Sequence, residues 1–116
     1  MKILISGYGR MGRMVEKIIL SKQVEYAGWS ESVTEVDRNL ASECVCIDFT
    51  TPDAFRANYK FLAENFKAVV VGTTGWADIR DEVIAYFEKC GTTMIWASNF
   101  SIGVNVFFAA SKSARS

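Results

Sequence analysis

The stretch Lys2-Ile3-Leu4-Ile5-Ser6-Gly7-Tyr8-Gly9-Arg10-Met11-Gly12 decides how this chain is read. A short apolar run stops abruptly at glycine, and Met11, Met14, Val15, Ile18 and Ile19 then recur at helical spacing. That is the pattern of a strand, a tight turn and an amphipathic helix. Within it lies G-x-G-x-x-G, where each glycine has a physical task. Gly7 permits the tight turn, Gly9 lets a pyrophosphate approach the backbone, and Gly12 lets helix and strand pack closely. The helix N-terminus adds oriented N–H groups for the anion. The placement predicts dinucleotide binding. S-adenosylmethionine methyltransferases share such a loop, and a glycine turn without cofactor is the plainer alternative.

Outward from this unit the same alternation continues. Val24 to Trp29 reads as a second strand after the polar break Ser21-Lys22-Gln23, and Ser30 to Ser42 is polar loop with room for one helical turn. Cys44-Val45-Cys46-Ile47-Asp48-Phe49 has strand length, and Thr51-Pro52-Asp53 offers an N-cap followed by proline in the first helical position. A helix from Pro52 to Asn65 is expected. Ala68-Val69-Val70-Val71 is a continuous β-branched run, as in a strand buried on both faces, and ends at Gly72-Thr73-Thr74-Gly75. Ile79, Val83, Ile84 and Phe87 mark another helix with Gly91 as its stop, and Thr92 to Trp96 is a fifth strand. The apolar segment 102–111 has helical character. Strands alternating with helices at this spacing predict an α/β fold, a Rossmann-like doubly wound parallel sheet of about five strands. No internal repeat or linker interrupts it.

Composition narrows the function classes. The chain has 116 residues, 50% hydrophobic and 22% charged, which gives one globular domain with enough apolar surface to offset ordering entropy. Its 13 basic and 13 acidic residues balance, so neither nucleic acid nor an acidic membrane finds a basic surplus to bind. No secretory leader or membrane span is visible, because the first apolar run breaks at Gly7 and Gly9. Three widely spaced cysteines, Cys44, Cys46 and Cys90, fit a reducing compartment, and a cytoplasmic location is expected. The sequence contains no histidine, which excludes a Ser-His-Asp triad, a Cys-His pair or a histidine-ligated metal within this chain. Cys44 and Cys46 share one strand face as core residues, and no metal site is expected.

Candidate binding residues gather at the C-terminal ends of the expected strands, where open α/β sheets bind ligands. Glu31 lies about 20 residues beyond the glycine loop, where a carboxylate accepts hydrogen bonds from an adenosine ribose, favouring NADH over NADPH. Glu35 and Asp37 compete for that role, and Arg10, Arg13 and Arg38 are candidates to accommodate a 2′-phosphate. Phe49 and Thr50, then Gly72, Thr73 and Thr74, supply small residues, amides and hydroxyls suited to a ribose and a carboxamide. Ser98, Asn99 and Phe100 follow the fifth strand, with an N-cap as the competing role for Ser98 or Asn99. Trp29, Trp76 and Trp96 read first as packing residues, with Trp76 placed to edge the crevice.

Taken in order, Gly7-Tyr8-Gly9-Arg10-Met11-Gly12, Asp48-Phe49-Thr50-Thr51-Pro52, Val71-Gly72-Thr73-Thr74-Gly75 and Ser98-Asn99-Phe100-Ser101-Ile102-Gly103-Val104-Asn105 closely resemble the 4-hydroxy-tetrahydrodipicolinate reductases. The resemblance implies an NADH- or NADPH-dependent oxidoreductase of lysine and diaminopimelate synthesis that reduces a cyclic unsaturated dicarboxylate. By motif it implies that Gly7, Tyr8, Gly9, Arg10, Met11 and Gly12 hold the pyrophosphate and Glu31 the adenosine ribose. Phe49 and Thr50 would meet the cofactor's middle, Gly72 and Thr74 its nicotinamide ribose or carboxamide, and Asn99 with Phe100 the nicotinamide end. In this family a basic residue often follows the acidic one, whereas Ser32 follows Glu31 here. The family's histidine pair, catalytic lysine and carboxylate-binding Gly-Thr are absent, so no catalytic residue is assigned in this chain. The expectation is that residues 1–100 form the dinucleotide-binding domain and residues 101–116 begin the connection to a missing C-terminal substrate domain, through which the family's homotetramer forms. Such a chain would bind cofactor without turnover; the alternative is a non-catalytic dinucleotide-binding or sensor module.

Overall fold

Alternating apolar side chains in three central strands divide the core into two. The computed structural model describes residues 2–22 and 24–96. In chain order they form β1 (Lys2–Ser6), α1 (Arg10–Ser21), β2 (Glu25–Ser30), α2 (Arg38–Ser42), β3 (Cys44–Asp48), α3 (Pro52–Asn65), β4 (Ala68–Val71), α4 (Arg80–Cys90) and β5 (Thr93–Trp96). Ile3 and Ile5 of β1, Val45 and Ile47 of β3 and Val70 of β4 pack on one face with Val15 and Ile19 of α1. Leu4, Cys44, Cys46, Val69 and Val71 point to the other face, against Phe55, Tyr59 and Leu62 of α3 and Val83 and Phe87 of α4. A strand covered on both sides needs apolar residues at every position, which is why these runs are continuous. Cys44 and Cys46 therefore lie in the core as expected, and burial pushes both thiols up in pKa.

All pairings are parallel and the strand order is β2-β1-β3-β4-β5. From β1 the chain steps to one side for β2 and returns to the other side for β3. The order therefore reverses between β1 and β3, and in open α/β sheets the crevice at such a reversal receives ligands. The expected five-stranded sheet is thus observed, with helices on both faces. The polar stretch after β2 is more structured than expected, holding a 3₁₀ turn at Val33–Glu35 as well as α2. Its apolar Val33 and Ala41 are buried and anchor it to the core. The expected helix within 102–111 lies outside the described residues.

Local signals set the helix ends. The Thr51 hydroxyl accepts from the Ala54 amide at 3.1 Å and Pro52 opens the first turn of α3, as the Thr-Pro-Asp sequence predicts. α4 stops at Gly91. α1 differs, since its N-cap Gly9 provides no side-chain bond and its first turn carries no acidic residue. The orphan amides at that end are left to other acceptors.

A carboxylate is sealed inside this frame. Asp48, the last residue of β3, is 0% exposed. Its carboxylate accepts the hydroxyl of Thr73 at 2.7 Å and that of Thr50 at 3.1 Å, and Ser6 at the end of β1 also bonds it. Three strand ends are thereby tied to one side chain. Burial raises the Asp48 pKa, and the hydroxyl donors only partly oppose it.

Two expectations follow. Thr51→Ala should lower stability by about 1 kcal/mol in urea unfolding, while Thr51→Ser stays close to the parent; an alanine variant of unchanged stability would remove the cap from the account. For Asp48, a raised folded pKa means the native state binds the proton more tightly than the unfolded chain. Its contribution is full below the unfolded pKa and is lost as pH rises through the folded one. Urea midpoints of the parent and of Asp48→Asn, followed from about pH 3 to 8, should therefore differ by an amount that shifts against the parent as pH rises above the ordinary carboxylate range. Glu16 and Asp78, whose pKa values are lowered, act in the opposite sense in both proteins and cancel in the difference. A pH-independent difference would contradict a penalised carboxylate.

Candidate functional site

Three backbone bonds bring the glycine loop and its neighbours to one edge of the sheet. The Gly7 amide donates to the Ser30 carbonyl at 2.7 Å, Phe49 to Ser6 at 2.8 Å and Gly72 to Asp48 at 2.8 Å. Each continues a parallel ladder one residue past its strands. The loops after β1, β3 and β4 consequently leave the sheet side by side. Gly7 has φ +93°, and a Cβ there would overlap the Phe49 carbonyl oxygen, so the first two loops touch where only glycine fits. A Cβ on Gly12 would overlap the Gly7 carbonyl oxygen and lies 3.6 Å from the Ile5 side chain, so α1 starts close against β1. Gly9, by contrast, has nothing within 4 Å of where a Cβ would sit.

Between these loops lies a crevice of about 290 Å³ lined by Gly9, Arg10, Met11, Gly12, Phe49, Thr50, Gly72, Thr73 and Thr74. Nine of the residues singled out from sequence meet here. The crevice has at one end the uncapped first turn of α1, whose amides and dipole favour an anion. Across it, the Phe49 ring covers Gly72 so closely that a Cβ on Gly72 would strike it. Thr73 departs from the expected role in one respect. Its hydroxyl is turned inward to Asp48 and also accepts from the Thr50 amide at 2.8 Å, so it braces one loop against the other. The loop after β4 is further held by Arg56 of α3, which donates to the Gly75 carbonyl at 3.0 Å and pairs with Asp78 at 2.7 Å.

A second crevice of about 440 Å³ adjoins the first and is lined by Tyr8, Gly9, Arg10, Arg13, Met14 and Lys17. Tyr8 stands in its wall, its hydroxyl donating to Glu16 at 2.6 Å. Tyr26 of β2 donates to the other Glu16 oxygen at 2.7 Å. These two donors hold the Glu16 carboxyl below its usual range, and Glu16 in turn raises the Tyr8 pKa. Glu31 is exposed and follows directly on Ser30, whose carbonyl holds the Gly7 amide. It therefore leaves the sheet beside the glycine loop. Asp37, one of its sequence competitors, is used elsewhere as the N-cap of α2, accepting from the Asn39 amide at 2.7 Å. Arg38 lies in α2 and lines neither crevice.

Trp76 does not edge the crevice. It is buried among Phe55 and the α3–α4 core, at 4.8 Å between ring centroids with Phe55, and its indole N–H donates to the Thr73 carbonyl at 2.6 Å. An indole that has both an apolar bed and a carbonyl for its N–H gains more inside than at the rim. Ser98, Asn99 and Phe100 lie outside the described residues. Sequence reading missed the Tyr8–Glu16–Tyr26 bonds and the burial of Asp48. The signal for the second was present, since a carboxylate ended an otherwise apolar strand. Among the described residues no cluster of His, Cys, Asp or Glu could hold a metal ion, and no helix is long and apolar enough to cross a membrane.

Comparison with known proteins agrees with the geometry. Residues 1–100 match the family described as dihydrodipicolinate reductase, N-terminus. The 4-hydroxy-tetrahydrodipicolinate reductase of Christiangramia forsetii is 37% identical over 93% of this chain and 46% of its own length. That of Methanoregula boonei is 33% identical over 92% and 48%, and that of Paraburkholderia phymatum 34% over 91% and 49%. The chain thus spans about half the length of the curated relatives it matches. A solved hyperthermophilic archaeal homoserine dehydrogenase, in complex with NADPH, superposes with a TM-score of 0.63 at 17% identity, covering 84% of this chain and 43% of that one. That likeness establishes the Rossmann-like fold. With its glycine loop, strand order and family match in agreement, the chain belongs to the dihydrodipicolinate reductase family, whose N-terminal part its first 100 residues match.

Proposed function

We propose that this chain is the nicotinamide-dinucleotide-binding part of a 4-hydroxy-tetrahydrodipicolinate reductase. The observation that carries the reading is the open, uncapped N-terminus of α1 facing the loops after β3 and β4 at the sheet's reversal point. A dinucleotide fits these residues. The cradle beside Gly9 is open, and the first turn of α1 has neither a side-chain cap nor an acidic residue. Gly7 to Gly12 would hold the pyrophosphate, with the helix dipole and amides there to neutralise it. Glu31 accepts from the adenosine ribose hydroxyls, Phe49 and Thr50 meet the middle of the cofactor, and Gly72, Thr73 and Thr74 face the nicotinamide half. By motif, Asn99 with Phe100 would meet that end.

When bound, the nicotinamide supplies hydride to the substrate, a cyclic unsaturated dicarboxylate in the complete enzyme. The part of this chain is to hold the cofactor in one geometry. Asp48 and Thr73 brace the loop after β3 against the loop after β4, so the crevice is set before ligand arrives. No residue here is assigned as proton donor or carboxylate grip, and turnover by these 116 residues is not expected. NADH is the preferred cofactor, because a carboxylate at Glu31 repels a 2′-phosphate and Ser32 brings no compensating charge. Arg10, Arg13 and Lys17 on the adjoining crevice keep that preference modest. The lysine and diaminopimelate pathway and a cytoplasmic location belong to the same proposal, and the family's homotetramer, formed through its substrate domain, belongs to the complete enzyme.

Titration of the purified chain with NADH and NADPH, read by calorimetry and by energy transfer from tryptophan to the reduced nicotinamide, tests it. Saturable binding is expected, tighter for NADH and weakened about tenfold by Glu31→Ala, the loss of hydrogen bonds to a charged acceptor. Gly12→Val, which forces α1 away from β1, should abolish it. A folded chain that bound S-adenosylmethionine, or neither nicotinamide nucleotide, would overturn the reading.

A further inference from the structure

The second strand carries an irregularity that changes which way its aromatic residues face. Ile3 pairs with Tyr26 but Leu4 pairs with Gly28, so Ala27 is an extra residue in β2 relative to β1. This is a β-bulge, and Gly28 within it has φ +115°, a conformation other residues rarely adopt. Beyond the bulge, Ile5 pairs with Trp29. Tyr26 and Trp29 are three residues apart, yet both pair with residues of the face covered by α1. Strict alternation would have put them on opposite faces. The contacts agree, since Tyr26 bonds Glu16 of α1 and Trp29 stacks on Tyr8.

The stack is nearly parallel, with ring centroids 4.3 Å apart and planes 12° from one another. Tyr8 is fixed independently, by its hydroxyl on Glu16 at 2.6 Å and by the Arg13 guanidinium 5.3 Å from its ring centroid. Trp29 nevertheless remains 48% exposed. An indole held flat by a fixed ring and still open to solvent is an unfinished stack. It stands two residues before Glu31 and is stacked on Tyr8, a residue of the glycine loop that lines the cationic crevice.

Resting on the dinucleotide reading above, we propose that Trp29, supported by Tyr8, is the shelf on which the adenine base of the cofactor stacks. A base has a flat polarisable face, and stacking on an aromatic side chain stabilises it without needing specific edge contacts. The bulge supplies the preorganisation, because it points Trp29 to the glycine-loop side before ligand arrives and removes an ordering cost. Selectivity for a base-bearing nucleotide then comes from Trp29, while ribose contacts come from Glu31.

The experiment compares the parent chain, Trp29→Ala and Trp29→Phe, each checked for cooperative unfolding, with NADH and with ADP-ribose, which carries the base but no nicotinamide. Calorimetry should give at least about tenfold weaker binding of both ligands to Trp29→Ala, and affinity within about threefold of the parent for Trp29→Phe, which keeps an aromatic ring. ADP-ribose should quench the parent's tryptophan fluorescence, and Trp29→Phe should bind it with most of that quenching gone. Parent-like affinity of Trp29→Ala for both ligands, with NADH still bound by the parent, would overturn the shelf alone. A parent chain that bound neither ligand would instead overturn the dinucleotide reading and the shelf with it.

Discussion

Asp48 is the group on which the crevice depends. A carboxylate removed from water is costly unless its oxygens are satisfied, and here they accept from Thr50, Thr73 and Ser6, one hydroxyl from each of three loops or strand ends. The backbone bonds from Gly7 to Ser30, Phe49 to Ser6 and Gly72 to Asp48 run alongside. Together they fix where the chain leaves β1, β3 and β4. The glycine loop, the Phe49 ring over Gly72 and the inward Thr73 follow from that geometry. The raised pKa of Asp48 marks its cost, so the same interaction that orders the site also burdens the fold.

The site divides labour between backbone and side chains. At the start of α1 the chain offers amides without a capping side chain, which is costly in isolation and suited to an anion. Around it, side chains act chiefly on one another. Thr73 braces Thr50, Arg56 holds the Gly75 carbonyl, and Glu16 joins Tyr8 to Tyr26. The Thr73 hydroxyl is thereby engaged within the protein, on Asp48 and the Thr50 amide. Preorganisation of this kind lets binding energy go to the ligand rather than to ordering the loops.

Much of this was legible beforehand. Strands such as Ala68–Val71 and helices such as Pro52–Asn65 appear at the residues expected, because continuous β-branched runs and a Thr-Pro cap act within a few residues of themselves. Nine candidate residues line one crevice, because the ends of parallel strands in an open sheet must lie on one edge. The family was legible too, through the resemblance of its four turn motifs in residue identity and order. Less was visible where a side chain had a choice of environments. For Trp76 the sequence leaves both packing and the crevice edge open, and the core wins, since Phe55 from another element and the Thr73 carbonyl receive it.

The sequence by itself determined the order of strands and helices, the positions where only glycine fits, and the kinship of the chain, all of which rest on short-range pattern. Tertiary structure alone decided the inward turn of Thr73 and the bulge that brings Trp29 onto Tyr8, and it sealed Asp48, whose place at the end of an apolar strand was the one signal in the sequence. The physical reason is register. A single extra residue in β2 reverses the facing of every side chain beyond it, and which residue is extra depends on how β2 pairs with β1.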